Sequence, residues 1–225
     1  MPKIIDSDER KKAIAQAVWS ILSQQGISKV TIRNVAAQAG ISTGSLSRSF
    51  ASRMELVHYA LELINEDANN RFQAYLASEP SALASVQFLE SFLPLEPYAL
   101  EASKVTVGMI AELSALPEIA PIAQGSLEQL QLLFREVLKL MDRQGELKAG
   151  LDLELESTQL VVLSYGLTVK ALVAGKGSEP LNVSRIFRSQ VNELLLEPVP
   201  YATDQELAEL AEVSRSLALF KDSEN

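Results

Sequence analysis

Side chains able to do covalent or metal chemistry are sparse in this chain, and their types point away from catalysis. There is one histidine, His58, and no cysteine. A lone imidazole cannot assemble a metal cluster or a Ser/His/Asp relay, and without cysteine there is no thiolate or disulfide chemistry. No zinc-ligand spacing, acidic metal motif or phosphate-cradling glycine loop occurs, and Gly175-Lys176-Gly177 reads as a flexible link between helices. His58 reads as structural. An enzyme on a helical scaffold is therefore disfavoured, and no cofactor or metal is expected. What remains is a group of hydroxyls and cations gathered near the N-terminus: Lys29, Thr31, Arg33, Ser42, Thr43, Ser45, Ser47, Arg48 and Arg53. Hydroxyl, ammonium and guanidinium groups donate to phosphates, and an arginine can read a guanine edge bidentately. The chemistry on offer is that of nucleic-acid binding.

The net charge of −9 over 225 residues argues the other way until its distribution is read. Residues 1–53 hold eight basic side chains against Asp6, Asp8 and Glu9, a net +5. The remaining 172 residues hold 12 basic and 26 acidic side chains, a net −14. A basic head on an acidic body fits a protein of which only the head meets phosphates. Hydrophobic residues make up 47% of the chain and aromatics 6%, so the core must rest on aliphatic side chains, which favours helices. The N-terminus is charged and lacks the apolar stretch of a secretion signal. The charge-free stretch Ser157–Val169 is too short to span a bilayer. No membrane association is expected, and the protein reads as cytoplasmic.

The elements that must carry the polar group are short helices. Ile14, Ala17, Val18, Ile21 and Leu22 repeat at helical spacing over Ser7–Gln25, which Gly26 ends. Thr31 caps a second helix with Val35, Ala36 and Ala39 on one face. Gly40 ends it, Ile41 turns inward, and Ser42 caps a third helix running to about Phe50. Three helices with a tight glycine turn between the last two form a helix-turn-helix, whose second helix lies in the major groove. That geometry points Ser42, Thr43, Ser45, Ser47 and Arg48 at the groove. Arg48 could serve a base edge or a phosphate equally well.

The stretch Thr31–Leu56, TIRNVAAQAGISTGSLSRSFASRMEL, resembles the signature of the TetR family of transcriptional regulators. Thr31, Val35-Ala36, Ala39-Gly40-Ile41-Ser42, Gly44, Leu46, Phe50, Ser52, Arg53 and Leu56 stand where that family carries the same or similar residues, as do Ile14, Ala17 and Gly26 upstream. The resemblance is strong over residues 9–56 and limited to helical organisation over 57–200. It implies that Thr31 and Arg53 bind phosphates, with Lys29 and Arg33 as further contacts. One departure concerns positions 47 and 49, where the family usually has aromatic or histidine side chains. Here they are Ser47 and Ser49, which reach less far towards a DNA backbone.

Beyond the head, proline, glycine and apolar spacing predict helices over Arg53–Ala77, Ser81–Leu93, Pro97–Leu116, Ile122–Gln144, Leu153–Val173, Asn182–Leu196 and Thr203–Phe220. Thr203 with Glu206 forms a capping box for the last of these. The fold class is all-α: a three-helix helix-turn-helix domain over residues 1–52 and a larger helical ligand-binding and dimerisation domain over 53–225. The family resemblance implies a homodimer through the helices 153–173 and 182–196. It also implies an effector pocket among the middle helices, with Tyr75, Phe88, Phe92, Tyr98, Met109, Phe134, Met141 and Tyr165 as candidate lining. The expected function is ligand-responsive transcription regulation. The leading form is a repressor that binds a palindromic DNA operator as a dimer and is released by a small-molecule effector. A transcription activator, or a protein-interaction module with a degenerate DNA-binding head, are the alternatives.

Overall fold

The computed structural model describes residues 7–175 and 179–209, apart from the side chains of residues 7, 8, 63–65, 67–68, 71, 97–98 and 101. Among the described residues there is no strand, only one isolated antiparallel bridge, Leu147 to Leu195. The helices are α1 (Ser7–Gln25), α2 (Ile32–Gln38), α3 (Thr43–Ser49), α4 (Arg53–Ala77), α5 (Ala82–Glu90), α6 (Pro97–Glu112), α7 (Ala120–Arg143), α8 (Leu153–Ala174) and α9 (Pro180–Asn192). Short 3-10 turns occupy Ile27–Lys29 and Pro117–Ile119. Residues 204–209 are helical again. The remainder of the helix expected to reach Phe220 lies outside the described residues.

Two compact units divide the chain: 7–69 with 105–123, and 70–104 with the described residues from 124 onward. The first unit continues past residue 52 because Leu56, Val57, Ala60 and Leu61 on α4 are buried in it, and Val105, Met109 and Ile119 are buried there too. Its front part is the three-helix bundle. Ile14, Val18, Trp19, Ile21 and Leu22 of α1, Val35 and Ala36 of α2 and Leu46 of α3 make its core. Burying each large aliphatic side chain is worth roughly 1.5–3 kcal/mol, so a handful suffices to hold such short helices. Gly40, at φ +66°, makes the turn between α2 and α3. Its N–H donates to Ala37 O and the Ile41 N–H to Ala36 O at 2.9 Å, a Schellman closure that a side chain at Gly40 would strain.

The second unit has one continuous core. It gathers Phe72, Tyr75, Val86, Leu89, Phe134, Val137, Leu138, Met141, Leu160, Leu167, Phe187 and Val191, among others. Three helices differ at their ends from the sequence expectation. α5 stops at Glu90 instead of Leu93, because Ser91 turns its hydroxyl onto Phe88 O and Pro94 cannot extend the helix. α6 stops at Glu112, since Leu116 precedes Pro117 and takes an extended φ of −131°. α9 starts at Pro180, which suits a first helical position, and ends at Asn192. There the Asn192 side chain pairs with both the N–H and the C=O of Val199, while Lys148 N–H donates to Leu194 O and Leu196 N–H to Glu146 O. Residues 193–196, expected to be helical, are thus claimed by a tertiary ladder.

On α9 Ile186 is exposed, while Ser184 and Arg188 join Val183, Phe187 and Val191 in the interior. The helix carrying the charge-free stretch Ser157–Val169 runs 22 residues and is, among the described residues, long and apolar enough by length and composition to cross a membrane. Seven of its residues, including Ser157, Ser164 and Thr168, are buried against the rest of the unit.

Candidate nucleic-acid interface

The head exposes most of the expected polar group. Lys29, Thr31, Arg33, Ser42, Thr43, Ser47 and Arg48 are exposed, while Ser45 and Arg53 are half-buried. Thr31 Oγ1 accepts the Asn34 N–H at 3.1 Å, and Ser42 Oγ accepts the Ser45 N–H at 3.2 Å. Both hydroxyls therefore act as caps through a lone pair and keep their hydrogens for donation. Asn34 also donates from its side chain to Lys29 O at 2.9 Å, tying the turn before α2 to its first residues. Arg48 makes no ion pair among the described residues.

Two of the expected donors are engaged inside the protein. Ser47 Oγ donates to Thr43 O at 2.9 Å, so its hydrogen is spent on the helix and only acceptor capacity remains. Arg53 Nη2 lies 3.3 Å from Glu118 Oε1, a carboxylate in the turn that follows α6. A phosphate at Arg53 would compete with that carboxylate for the same guanidinium. Ser52 Oγ accepts the Glu55 N–H at 3.1 Å, and the Glu55 carboxylate accepts the Ala51 N–H at 2.7 Å, so the start of α4 is fixed locally. Phe50 packs on Tyr59 with ring centroids 5.2 Å apart, which joins the end of α3 to α4. His58 is exposed on α4, with Nδ1 3.2 Å from Glu62 Oε1. Among the described residues no group of three or more His, Cys, Asp or Glu could hold a metal ion.

The candidate pocket residues are brought together only in part. Tyr75, Phe88, Phe92 and Phe134 form a ladder of rings that continues to Phe187, with successive centroids 4.5, 5.6, 5.8 and 6.3 Å apart. Met141 is buried in the same core, and Tyr165 packs half-buried against it. Met109 belongs to the first unit instead. The Tyr98 side chain lies outside the described residues. Burial pushes the Tyr75 and Tyr165 hydroxyls above the ordinary tyrosine range, and Tyr75 still bonds Ser85 Oγ at 2.8 Å. Burial likewise raises the Glu146 carboxyl, partly offset by the Ala82 N–H.

The most polar buried site of the body was not read from the sequence. Arg188 is fully buried, with Nε donating to both oxygens of Glu90 at 2.9 and 3.0 Å, Nη2 to Glu90 Oε2 at 2.7 Å, and Nη1 to Pro200 O at 2.7 Å. Nη2 also meets Glu206, whose other partner is the Gln87 amide at 2.8 Å. Burial opposes the Arg188 charge, but its bonds to Glu90 and Glu206 outweigh it and hold the guanidinium above its ordinary range. Glu206 is raised by burial and lowered more by Arg188 and Gln87. A carboxylate next to Leu89 and an arginine next to Phe187 were the available signal, since both sit on otherwise apolar faces. A surface cleft of about 550 Å³ beside this region, with Lys148, Asn192, Glu193 and Tyr201 on its walls, was not foreseen either.

A helix-turn-helix with a glycine Schellman turn, followed by a long connecting helix and a helical body, matches known proteins over most of its length. Residues 14–60 match the profile of bacterial regulatory proteins of the tetR family, and residues 84–196 match that of the BetI-type transcriptional repressor C-terminal domain. The chain belongs to the TetR family of transcriptional regulators. Such regulators are non-enzymatic proteins that bind DNA and small-molecule effectors and are typically dimers. Among relatives, the HTH-type transcriptional regulator PksA of Bacillus subtilis is 24% identical over 197 residues, which is 88% of this chain and 95% of PksA. A TetR transcription regulator from Haloarcula marismortui has the same fold with a TM-score of 0.71 at 15% identity, covering 84% of this chain and 99% of that one. A transcriptional regulator from Saccharomonospora viridis, solved in complex with choline, superposes with a TM-score of 0.72 at 19% identity, covering 85% of this chain and 100% of that one. As a TetR regulator the present chain keeps the capping hydroxyls and the turn glycine of the head, with serine at positions 47 and 49.

Proposed function

We propose that this TetR regulator is a repressor that binds a palindromic operator as a homodimer and is released by a small-molecule effector. The observation that carries the reading is the exposed Arg48 on α3, without an ion pair among the described residues and flanked by the exposed hydroxyls of Ser42 and Thr43. A guanidinium on a recognition helix can bind a guanine edge bidentately, and Thr31, Lys29 and Arg33 add donors for phosphates. The residues 1–52 act as the DNA-binding head and 53–225 as the effector and dimerisation part. Such a regulator works on bacterial DNA in the cytoplasm.

The homodimer is supported by a stripe on α8. Leu155, Val162, Val169 and Val173 are 51%, 66%, 45% and 84% exposed, at spacings of seven, seven and four residues, with exposed Gly166 between them. That spacing puts all of them on one side of the helix, opposite the side buried in the body. An exposed apolar stripe of this kind fits a second copy, and Ile186 of α9 is exposed as well. Two copies supply the two-fold symmetry of a palindromic operator. The effector site is proposed at the ladder around Tyr75, Phe88, Phe92, Phe134, Met141 and Tyr165, and the choline complex of the Saccharomonospora viridis protein supports a small-molecule effector in general. An effector releases DNA only if it binds the DNA-incompetent arrangement more tightly.

A second reading is favoured by Ser47, whose hydroxyl donates to Thr43 O and not outward. In that reading the head is degenerate and the protein works by protein–protein contact. Arg48→Ala separates the two. In electrophoretic shift with a duplex selected by the wild-type protein, Arg48→Ala should abolish binding while sedimentation reports the same oligomer. Retained affinity would overturn the recognition role of α3. Absence of salt-dependent binding of random duplex by the wild-type protein would favour the degenerate head.

A further inference from the structure

The link between α1 and α3 carries an inference about base recognition. Arg10 Nη2 donates to Ser45 Oγ at 2.7 Å and approaches Ser45 O at 3.4 Å, across 35 positions of sequence. Both side chains are half-buried. α3 is seven residues long and buries only Leu46, and one apolar side chain cannot by itself fix how a short helix is rotated about its axis. The Arg10–Ser45 bond supplies a second point of attachment on the polar side. It is charge-assisted, and so stronger than a bond between neutral groups.

We propose that Arg10 is a positioning and specificity-determining residue for base recognition, acting through Ser45. By donating into Ser45 Oγ, it fixes the rotation of α3 and leaves the hydroxyl hydrogen as the group turned to the groove. A cation bonded to the oxygen polarises the hydroxyl as a donor and disfavours a second donor beside it. Ser45 then prefers a base edge that accepts: purine N7, guanine O6 or thymine O4, over the amino groups of adenine and cytosine. The inference rests on the proposed docking of α3 in the major groove. It adds to that docking a residue of α1 that the helix-turn-helix pattern does not single out.

The test compares wild type, Arg10→Ala, Ser45→Ala and the double variant. Each selects duplexes from a random library, and each is measured on the wild-type consensus and on a random duplex over a range of salt. Arg10→Ala should relax base preference at one position of each half-site, admitting bases that present an amino group. It should weaken consensus binding about three- to tenfold, the loss expected of one hydrogen bond. Ser45→Ala should relax the same position, and the double variant should be no worse than the weaker-binding single. For Arg10→Ala, random-duplex affinity and its salt slope should stay at wild-type values. An equal loss on consensus and random duplex, with the salt slope smaller by about one, would make Arg10 a phosphate contact and overturn the proposal. Additive losses, or an unchanged preference at every position, would overturn it too. Ser45→Ala removes one oxygen from a half-buried site, so it keeps the test decisive if Arg10→Ala fails to fold. Wild-type protein that selects no sequence would overturn the proposed function together with this inference. Normal wild-type selection that neither variant alters would overturn this inference alone.

Discussion

Arg48 and Arg188 sit at opposite extremes of the molecule's electrostatics. Arg48 is exposed on a short helix that Ser42 caps and on which Ser47 bonds its own backbone. Arg188 is sealed inside the second unit, with Glu90, Glu206 and the Pro200 carbonyl around it. The head spends few apolar residues on its own folding and leaves its charge facing outward. The body encloses charge within a large core, and each buried group has to find its partner inside. A charge left in water contributes little to folding and is available to an outside partner, whereas a buried one is committed to the fold. Substitutions in the two regions should therefore differ in kind.

The largest expected effect is on the buried side of this contrast. Arg188→Ala leaves Glu90 and Glu206 without compensation and should lower unfolding free energy by about 3–5 kcal/mol in chemical denaturation. Arg48→Ala in the same assay should stay within about 0.5 kcal/mol of wild type. Similar costs for the two would break the contrast. Next comes the outer face of α8. Val162→Glu puts a charge into the apolar stripe and should convert a dimer to a monomer in sedimentation, with little change in helix content by circular dichroism. A dimer that survives would assign the stripe another partner. The smallest effect sharpens the view of the head. Glu118→Gln removes the carboxylate paired with Arg53, an exposed ion pair worth at most about 1 kcal/mol. Random-duplex binding should tighten by about 1.5- to 5-fold, most clearly at low salt. Unchanged binding would mean that Arg53 meets no phosphate.

Legibility follows the same division. α1 to α4 occupy the spans expected for them, because their limits are written in local chemistry: Gly26, the Thr31 and Ser42 caps, Gly40 at positive φ, and the Ser52–Glu55 box. The end of α9 could not be read this way. Leu194 and Leu195 continue its apolar spacing, yet they leave the helix to pair with residues 146–148, which are nearly fifty positions away in sequence. Arg188 was hidden for a related reason. An arginine on an amphipathic helix ordinarily marks the solvated side, and only the presence of Glu90 and Glu206 around it reverses that assignment. Four of the candidate pocket aromatics do meet, but as a packed ladder, while Met109 is buried in the other unit.

Sequence by itself determined the all-α class, the helix-turn-helix and the family, because turn glycines, capping hydroxyls and apolar periodicity act over a few residues and have few alternative readings. Tertiary structure alone decided which of the head's guanidinium groups are engaged: Arg53 is shared with Glu118, and Arg10 is spent on Ser45. A hydrogen bond depends on what lies within about 3 Å in space, and for Arg10 and Arg53 the partner stands 35 and 65 residues away along the chain.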